Sequence, residues 1–260
     1  MVLIDSHCHL DCLDLSSYGE SLDRLLDAAR EAGVHRFLSV GVDIESSRKI
    51  LKLATKYSDV DVSIGLHPLQ DSIPVIPSVD ELIALASHPK VVAIGETGLD
   101  NHYGKESSSW QQESFIVHLR AASELLKPVI VHTREAHNKT IEILRNYANI
   151  RSAGVLHCFT ETLEMACEAI ELNFYISFSG IITFKNATSL RDVVSKIPLD
   201  RILIETDSPW LAPIPHRGKS NEPKYVSEVA KLIAEIKEIT LDEVCETTSY
   251  NYQQLFLSNL

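Results

Sequence analysis

The stretch Ile4–Asp11, which reads IDSHCHLD, follows the apolar run Met1–Ile4 at the start of the chain. Successive side chains of a β-strand point to opposite faces, so His7 and His9 share one face and Cys8 lies on the other. A helix would place the two imidazoles about 200° apart. The spacing predicts a strand whose end presents two histidines that could chelate one metal ion. The alternative, two unrelated surface histidines, is the commoner meaning of an isolated His-x-His, so the rest of the chain decides.

The composition is that of a globular protein: 45% of the 260 residues are hydrophobic and 23% are charged, which suits an α/β domain. No apolar run reaches the roughly 18 residues that a bilayer span needs, and the N-terminus lacks the pattern of a secretory leader. The cysteines are odd in number and sparsely spaced, which favours reduced thiols and a cytoplasmic location. We expect no membrane association, and the sequence indicates no obligate protein partner.

The formal net charge of −12 argues against a protein that coats a phosphate backbone, because such proteins are usually basic. A nucleic-acid-binding protein without catalysis is therefore disfavoured. The charge leaves open an enzyme that holds only a strand end, through metal ions and a few cationic side chains.

Eight β-type runs alternate with helical segments along the chain. The runs are Val2–His7, Val34–Val42, Val60–His67, Val91–Glu96, Pro128–His132, Gly154–Phe159, Phe174–Ser179 and Arg201–Asp207. This alternation over about 250 residues predicts an α/β fold, a closed (β/α)₈ TIM barrel that forms a single domain over residues 1–260. A doubly wound open sheet is the main rival. Its dinucleotide-binding version is disfavoured because no Gly-x-Gly-x-x-Gly follows a predicted strand.

Residue types that bind metals occur at the predicted C-terminal ends of the strands, where barrel enzymes place their catalytic groups. They are His7, His9, His67, Glu96, His132, His157 and Asp207. Any one alone could be structural, because a buried histidine is usually just hydrogen-bonded and a strand-end aspartate often caps a helix. Together they predict a metal site for hydrolysis, since imidazoles and carboxylates bind divalent ions without redox chemistry.

The number of these ligands exceeds what one tetrahedral ion uses, so we expect two divalent ions. Two ions about 3.5–4 Å apart can share a hydroxide and hold both the attacking and the leaving oxygen. Glu96 is the candidate for the bridging carboxylate. Asp207 is the candidate for a ligand that also takes a proton from the attacking water. Mg²⁺, Mn²⁺ and Zn²⁺ all suit such a site.

Several motifs, taken in order, resemble the TatD family of metal-dependent deoxyribonucleases, a branch of the amidohydrolase superfamily. They are DSHCH at Asp5–His9, GLHP at Gly65–Pro68, GETGLD at Gly95–Asp100, VHTREA at Val131–Ala136, LHCF at Leu156–Phe159, LIETDSP at Leu203–Pro209, RGK at Arg217–Lys219 and NEP at Asn221–Pro223. The resemblance implies a barrel in which His7, His9, Glu96 and Asp207 hold one ion. It implies that Glu96, His132 and His157 hold the second ion. The chain departs from the family at Asn101, where an aromatic residue is usual, and at Glu161, where glycine is usual.

The resemblance further implies a nuclease that hydrolyses DNA phosphodiester bonds through a metal-bound hydroxide, as a 3′→5′ exonuclease. DNA strand ends would be the substrate, with RNA as a further candidate. Two alternatives use the same metal site: a D-aminoacyl-tRNA deacylase and a small-molecule amidohydrolase. Many amidohydrolases bridge their ions with a carboxylated lysine, and the presence of Glu96 at the end of the fourth run favours the nuclease.

Further residues are candidates for contacts with the substrate or behind the ligands. His67 lies outside both implied ligand sets and is assigned to this group. Glu205 either orients a ligand or forms a structural ion pair. Arg134 and Arg217 could each bind a phosphate, although single surface cations are usually only solvated. Trp210 could stack on a terminal base or pack as a rim aromatic.

Overall fold

The computed structural model describes residues 2–103 and 109–258. It contains eight parallel strands, each hydrogen-bonded to the next in chain order. They are β1 Leu3–Cys8, β2 Val34–Val40, β3 Val60–Ile64, β4 Val91–Asp100, β5 Val129–Arg134, β6 Gly154–Leu156, β7 Phe174–Phe178 and β8 Ile202–Ile204. A parallel bridge between Cys8 and Ser208 joins the last strand to the first. The sheet therefore closes on itself, and the predicted TIM barrel is confirmed.

Helices follow the strands and surround the barrel. They are α1 Leu22–Glu31, α2 Ile44–Ala54, α3 Val79–Ala86, α4 Ser109–Leu125, α5 His137–Tyr147, α6 Leu163–Glu171, α7 Thr188–Lys196, α8 Val226–Lys237 and α9 Leu241–Tyr252. Polar side chains cap several N-termini, as where Asp43 and Ser46 form a capping box at α2. Within residues 2–103 and 109–258, no helix combines the length and apolarity that crossing a bilayer requires.

Strands β4 and β5 run further than the sequence indicates, and they stay paired to their ends. Gly98 pairs with His132, and Asp100 pairs with Arg134. A Cβ atom on Gly98, whose φ is +141°, would overlap the carbonyl oxygen of His132. The glycine therefore permits a close approach of the two strands, and this approach carries β4 past Glu96 as far as Asp100.

The lower end of the barrel, where the strands begin, is filled by the C-terminus. Tyr252, Leu255 and Phe256 join the cluster of strand side chains that occupies the barrel interior. The Tyr252 hydroxyl donates a hydrogen bond of 2.7 Å to Asp61 Oδ2, which also accepts one of 2.6 Å from Arg36 Nε. The polar groups of this floor are thus paired with one another, and the site described below occupies the opposite, upper end.

Candidate metal centre

The metal-ligand residues expected from the sequence converge at the upper end of the barrel, where the strands end. They surround a cavity of about 890 Å³ whose lining includes His9, His67, Glu96, His132, His157 and Asp207. His7 is fully buried beneath them, with its ring stacked on that of His157 at a centroid distance of 3.9 Å. The closed barrel brings together residues that are distant in the sequence, because they lie at the ends of six different strands, with His7 and His9 both on or next to β1.

The two carboxylate oxygens of Glu96 face different histidines. Oε2 lies 3.3 Å from His7 Nε2. Oε1 lies 3.1 Å from His67 Nε2, 3.1 Å from His132 Nδ1 and 2.6 Å from His157 Nε2. Glu96 is therefore in the position of a carboxylate that joins two neighbouring groups of ligand atoms.

The first of these groups contains His7, His9 and Asp207. The Nε2 atoms of the two histidines are 3.3 Å apart. Asp207 Oδ1 lies 3.6 Å from His7 Nε2 and 3.4 Å from His9 Nε2. The two imidazole nitrogens and a carboxylate oxygen thus point into one volume, on the side where Glu96 presents Oε2.

Asp207 stands in a left-handed backbone conformation, with φ of 56°, which a non-glycine residue adopts only when its surroundings hold it there. Its N–H donates to His7 O at 2.9 Å. The buried Asn221 donates from Nδ2 to the carbonyls of Thr206, at 2.8 Å, and Trp210, at 2.6 Å, on either side of Asp207. The role of Asn221 was not predicted from the sequence, although it belongs to the NEP motif.

His67, which the sequence assigned to contacts with the substrate or behind the ligands, lies beside Glu96 and His132. Its Nε2 atom belongs with Glu96 and His132 to a group whose ligand atoms all lie within 4.8 Å of one another. The N–H of Leu69 donates to His67 Nδ1 at 3.0 Å, so Nε2 carries a ring proton. His67 is thus arranged to donate a hydrogen bond to Glu96, whereas a metal ligand needs a free lone pair.

Two carboxylates lie behind the candidate ligands His132 and His157. Glu205 Oε1 lies 3.3 Å from His157 Nδ1 and accepts the N–H of Cys158 at 2.7 Å. Asp100 Oδ2 lies 2.9 Å from His132 Nε2. The sequence indicated Glu205 but not Asp100, because β4 was expected to end at Glu96.

The electrostatics of the site favour ionised carboxylates. Burial would raise the pKa of Glu96, but the charges of His157 and His67 and hydrogen bonds to His132 and His157 hold that pKa well below its usual value. Burial likewise opposes the charge of Asp207, and the hydrogen bond to His9 together with the neighbouring histidines lowers its pKa. The negative charge needed to attract a cation is therefore present at neutral pH.

The residues present fit divalent metal ions. In the described part of the chain, three groups of side chains have their ligand atoms within 4.8 Å of one another: His7 with His9 and Asp207, His7 with His157 and Glu205, and His67 with Glu96 and His132. Imidazole nitrogens and carboxylate oxygens are the ligands that Mn²⁺ and Zn²⁺ accept. Among residues 2–103 and 109–258, buried His7 Nδ1 and Glu205 Oε2 have no hydrogen-bond partner, which is unusual for polar atoms in a folded core.

The predicted substrate-contact residues lie in different places. Arg134 lines the cavity, with its guanidinium 4.8 Å from the centroid of the Tyr103 ring. Trp210 also lines the cavity, is 51% exposed, and meets the ring of His9 edge-on. Arg217 is not part of this lining and lies over Phe184 at 3.9 Å. The structure thus brings Arg134 and Trp210 to the cavity, whereas Arg217 lies outside the lining and packs on the ring of Phe184.

The two departures from the family motifs both contact the backbone of one residue, Glu135. Asn101 Nδ2 donates to the carbonyl of Glu135 at 2.8 Å, and Glu161 Oε1 accepts the N–H of Glu135 at 2.5 Å. They therefore link the loops that follow β4, β5 and β6 next to Arg134, without contacting a candidate ligand.

A closed parallel barrel with imidazoles and carboxylates at its upper end defines the class of metal-dependent hydrolases. The family model described as "TatD related DNase" matches residues 4–257. The chain belongs to the TatD family of metal-dependent hydrolases, as the motifs indicated.

Relatives and solved structures agree with this assignment. The chain is 46% identical over 256 residues to the Escherichia coli K12 protein "Uncharacterized metal-dependent hydrolase YcfH", covering 98% of this chain and 96% of that relative. It is 39% identical over 262 residues to "Uncharacterized metal-dependent hydrolase YabD" of Bacillus subtilis, covering 99% and 100%. The crystal structure of YjjV, a TatD homolog from Escherichia coli, superposes with a TM-score of 0.87 at 30% identity, covering 98% and 97%.

Proposed function

We propose that the protein is a two-metal phosphodiesterase that shortens DNA from its 3′ ends. The position of Glu96 carries this proposal, because its two oxygens face two separate groups of ligand-type side chains. A carboxylate so placed is suited to bridge two neighbouring ions. When bound, such ions neutralise the charge that develops on the attacking and leaving oxygens of a phosphodiester.

In this proposal His7, His9, Glu96 and Asp207 hold one ion, and Glu96, His132 and His157 hold the other. Asp207 has the further task of accepting the proton of the attacking water. Its side chain is 14% exposed and lines the cavity, whereas the side chain of Glu96 is 3% exposed. Asp207 is thus the carboxylate that water can reach. Mg²⁺, Mn²⁺ and Zn²⁺ are the candidate ions.

The preference for strand ends follows from charge. A chain with 36 acidic and 24 basic side chains has few cations with which to follow a long phosphate backbone. Arg134 and Trp210 supply one cation and one exposed aromatic face at the cavity, enough for a terminal phosphate and base. We further propose that residues 1–260 act as one catalytic domain in the cytoplasm, with RNA as a second candidate substrate.

The test uses linear and circular single-stranded DNA, with duplex DNA in parallel and a label at the 5′ end of each linear strand. Protein stripped of metal by chelation should be inactive, and added Mg²⁺, Mn²⁺ or Zn²⁺ should restore cleavage. The expected product is a ladder that shortens from the 3′ end, with circles and 3′-blocked strands left intact. Circles cut as fast as linear strands would contradict the exonuclease. Hydrolysis of D-aminoacyl-tRNA or small amides without DNA cleavage would contradict the phosphodiesterase.

A further inference from the structure

Asp100 is a fully buried carboxylate whose two oxygens serve two different parts of the upper end. Oδ2 lies 2.9 Å from His132 Nε2. Oδ1 accepts the backbone N–H groups of His102, at 3.0 Å, and Tyr103, at 2.8 Å. One side chain thus contacts both a candidate metal ligand and the loop that follows β4.

We infer that Asp100 is a positioning residue that fixes the proton of His132 on Nε2, keeps the Nδ1 lone pair free for a metal ion, and holds the loop bearing Tyr103 in place. The inference rests on the metal centre of the proposed function and is independent of the substrate being DNA.

The placement of the proton follows from the partners of the two ring nitrogens. An ionised carboxylate can only accept a hydrogen bond, so His132 Nε2 must donate to Asp100. With the Nε2 proton held by Asp100, the proton that the ring can release is the one on Nδ1, 3.1 Å from Glu96 Oε1, so Nδ1 is the nitrogen that offers its lone pair when an ion binds. A carboxylate behind a metal-bound histidine also raises the basicity of the ring and fixes its orientation.

Glu205 has the same relation to His157, and this repetition supports the inference. Glu205 Oε1 lies against His157 Nδ1 while His157 Nε2 faces Glu96, at 3.3 Å and 2.6 Å respectively. The two histidines of the proposed second ion therefore each have a buried carboxylate behind them. His132 presents Nδ1 to Glu96 and Nε2 to Asp100. His157 presents Nε2 to Glu96 and Nδ1 to Glu205.

The second oxygen of Asp100 connects the metal centre to the rim. Tyr103 is held through its N–H, and its ring lies under the Arg134 guanidinium at 4.8 Å. Arg134 follows His132 by two residues on the same strand, with its backbone paired to Asp100. Asp100 therefore helps to position both the His132 ring, which would hold the ion, and Arg134, the proposed phosphate-binding cation.

The variant Asp100→Asn separates the contact with His132 from the contacts with the backbone of His102 and Tyr103. An asparagine oxygen can still accept both loop N–H groups, but its amide NH₂ would face His132 Nε2 and require that nitrogen to accept. The ring proton then moves to Nδ1, where it blocks metal binding. Titration of Mn²⁺ by calorimetry should show one ion bound about as tightly as in the wild type and the other about 10–100-fold more weakly.

The matched control is Asp27→Asn, which makes the same change at a carboxylate whose side chain is 65% exposed, far from the cavity. It should bind two Mn²⁺ ions with wild-type affinities. Tyr103→Leu removes the ring but leaves Asp100, and it should also bind both ions normally while the KM for DNA rises. Equal binding of two ions by Asp100→Asn and wild type would overturn the inference.

A measurement on the wild-type protein requires no folded variant. The ¹⁵N chemical shifts of His132 should show a protonated Nε2 both without metal and after addition of Zn²⁺, and Zn²⁺ should shift Nδ1. A Zn²⁺-bound protein in which Nε2 has lost its proton would overturn the inference. If the tautomer and Mn²⁺ binding are as expected but DNA is not cut, the proposed substrate is wrong and the role of Asp100 stands.

Discussion

Both ends of the barrel bury a carboxylate among potential hydrogen-bond donors, but the donors differ in kind. At the lower end, Asp61 is bound by the guanidinium of Arg36 and the hydroxyl of Tyr252. At the upper end, Glu96 is surrounded by the imidazoles of four histidines. Arginine keeps its charge at every physiological pH, whereas a histidine can lose its proton and offer a lone pair.

The contrast shows how one fold separates stability from chemistry. The cation beside Asp61 is part of the chain, so this pair is complete as soon as the protein folds. The cluster around Glu96 has its full complement of positive charge only when protons or metal ions are present, so its free energy depends on the solution. Mutations at the lower end should therefore reduce the free energy of unfolding, whereas mutations at the upper end should reduce activity and metal binding.

The largest expected effect is that of Glu96→Gln, which removes the carboxylate shared by both groups of ligands. DNA cleavage should fall by at least about 10³-fold, because neither ion keeps its charged bridge. Added Mn²⁺, which raises the melting temperature of the wild type by binding the folded state, should leave that of the variant nearly unchanged. Wild-type turnover in a folded Glu96→Gln protein would show that the upper end does not depend on Glu96 for catalysis and would contradict the contrast between the two ends.

A pH effect of roughly 3 kcal/mol is expected from His118, which supports the upper end from α4. Its Nε2 accepts the N–H of Leu66 at 3.0 Å, and burial lowers its pKa from 6.5 to about 4. The unfolded chain binds a proton at higher pH than the folded protein does, so stability should fall as the pH drops from about 6.5 to about 4.

The measurement for His118 is urea unfolding of the wild type and His118→Gln at pH 7 and pH 4. Taking the difference between the two proteins cancels the titration of other groups. The advantage of the wild type should shrink by roughly 3 kcal/mol at the lower pH. A difference that does not vary with pH would show that His118 titrates normally in the folded protein.

A smaller loss, about 2 kcal/mol of unfolding free energy, is expected for Asp61→Asn. This variant leaves Arg36 without its anion, but the side chain of Arg36 is 31% exposed and water screens part of the charge. Chemical denaturation should show the loss, while kcat per folded molecule stays at the wild-type value. A large fall in kcat without a fall in stability would reverse the roles assigned to the two ends.

The smallest effect concerns Trp210→Leu, which keeps the rim apolar but removes the indole face. Stacking of one base contributes about 1–3 kcal/mol, and the exposed position favours the lower limit. The KM for single-stranded DNA should rise about 5–10-fold with kcat little changed. Tyr250→Leu, at a 59% exposed aromatic outside the cavity lining, is the control and should leave the KM unchanged.

The sequence predicted the barrel because eight apolar runs with helical segments between them leave few other topologies. It also placed His7, His9, Glu96, His132, His157 and Asp207 near one another, because a barrel brings all strand ends to one side. Their binding of metal ions stays a prediction. The role of Arg217 beside a phosphate also stays a prediction, since the structure sets its guanidinium on Phe184.

The roles of Asp100 and Asn221 and the orientation of the His67 ring could not be predicted, for identifiable reasons. Asp100 shares the face of Glu96 in a strand that continues through Gly98, but a glycine normally suggests that a strand has ended. Asn221 acts on the carbonyls around Asp207, and a contact to backbone carries no pattern in the sequence. The ring of His67 is oriented by the N–H of Leu69, a local turn that period-two alternation does not describe.

The floor of the barrel is built from residues that follow every proposed metal ligand in the chain. Tyr252 and Phe256 fill the interior, and Ser249 Oγ donates to the carbonyl of Val2 at 3.0 Å, beside the strand that carries His7. All the proposed ligands precede α9 in the chain, whereas the side chains that fill the interior beneath them follow Leu241. During translation the histidines of β1 are therefore made long before the aromatic side chains that close the lower end of their barrel.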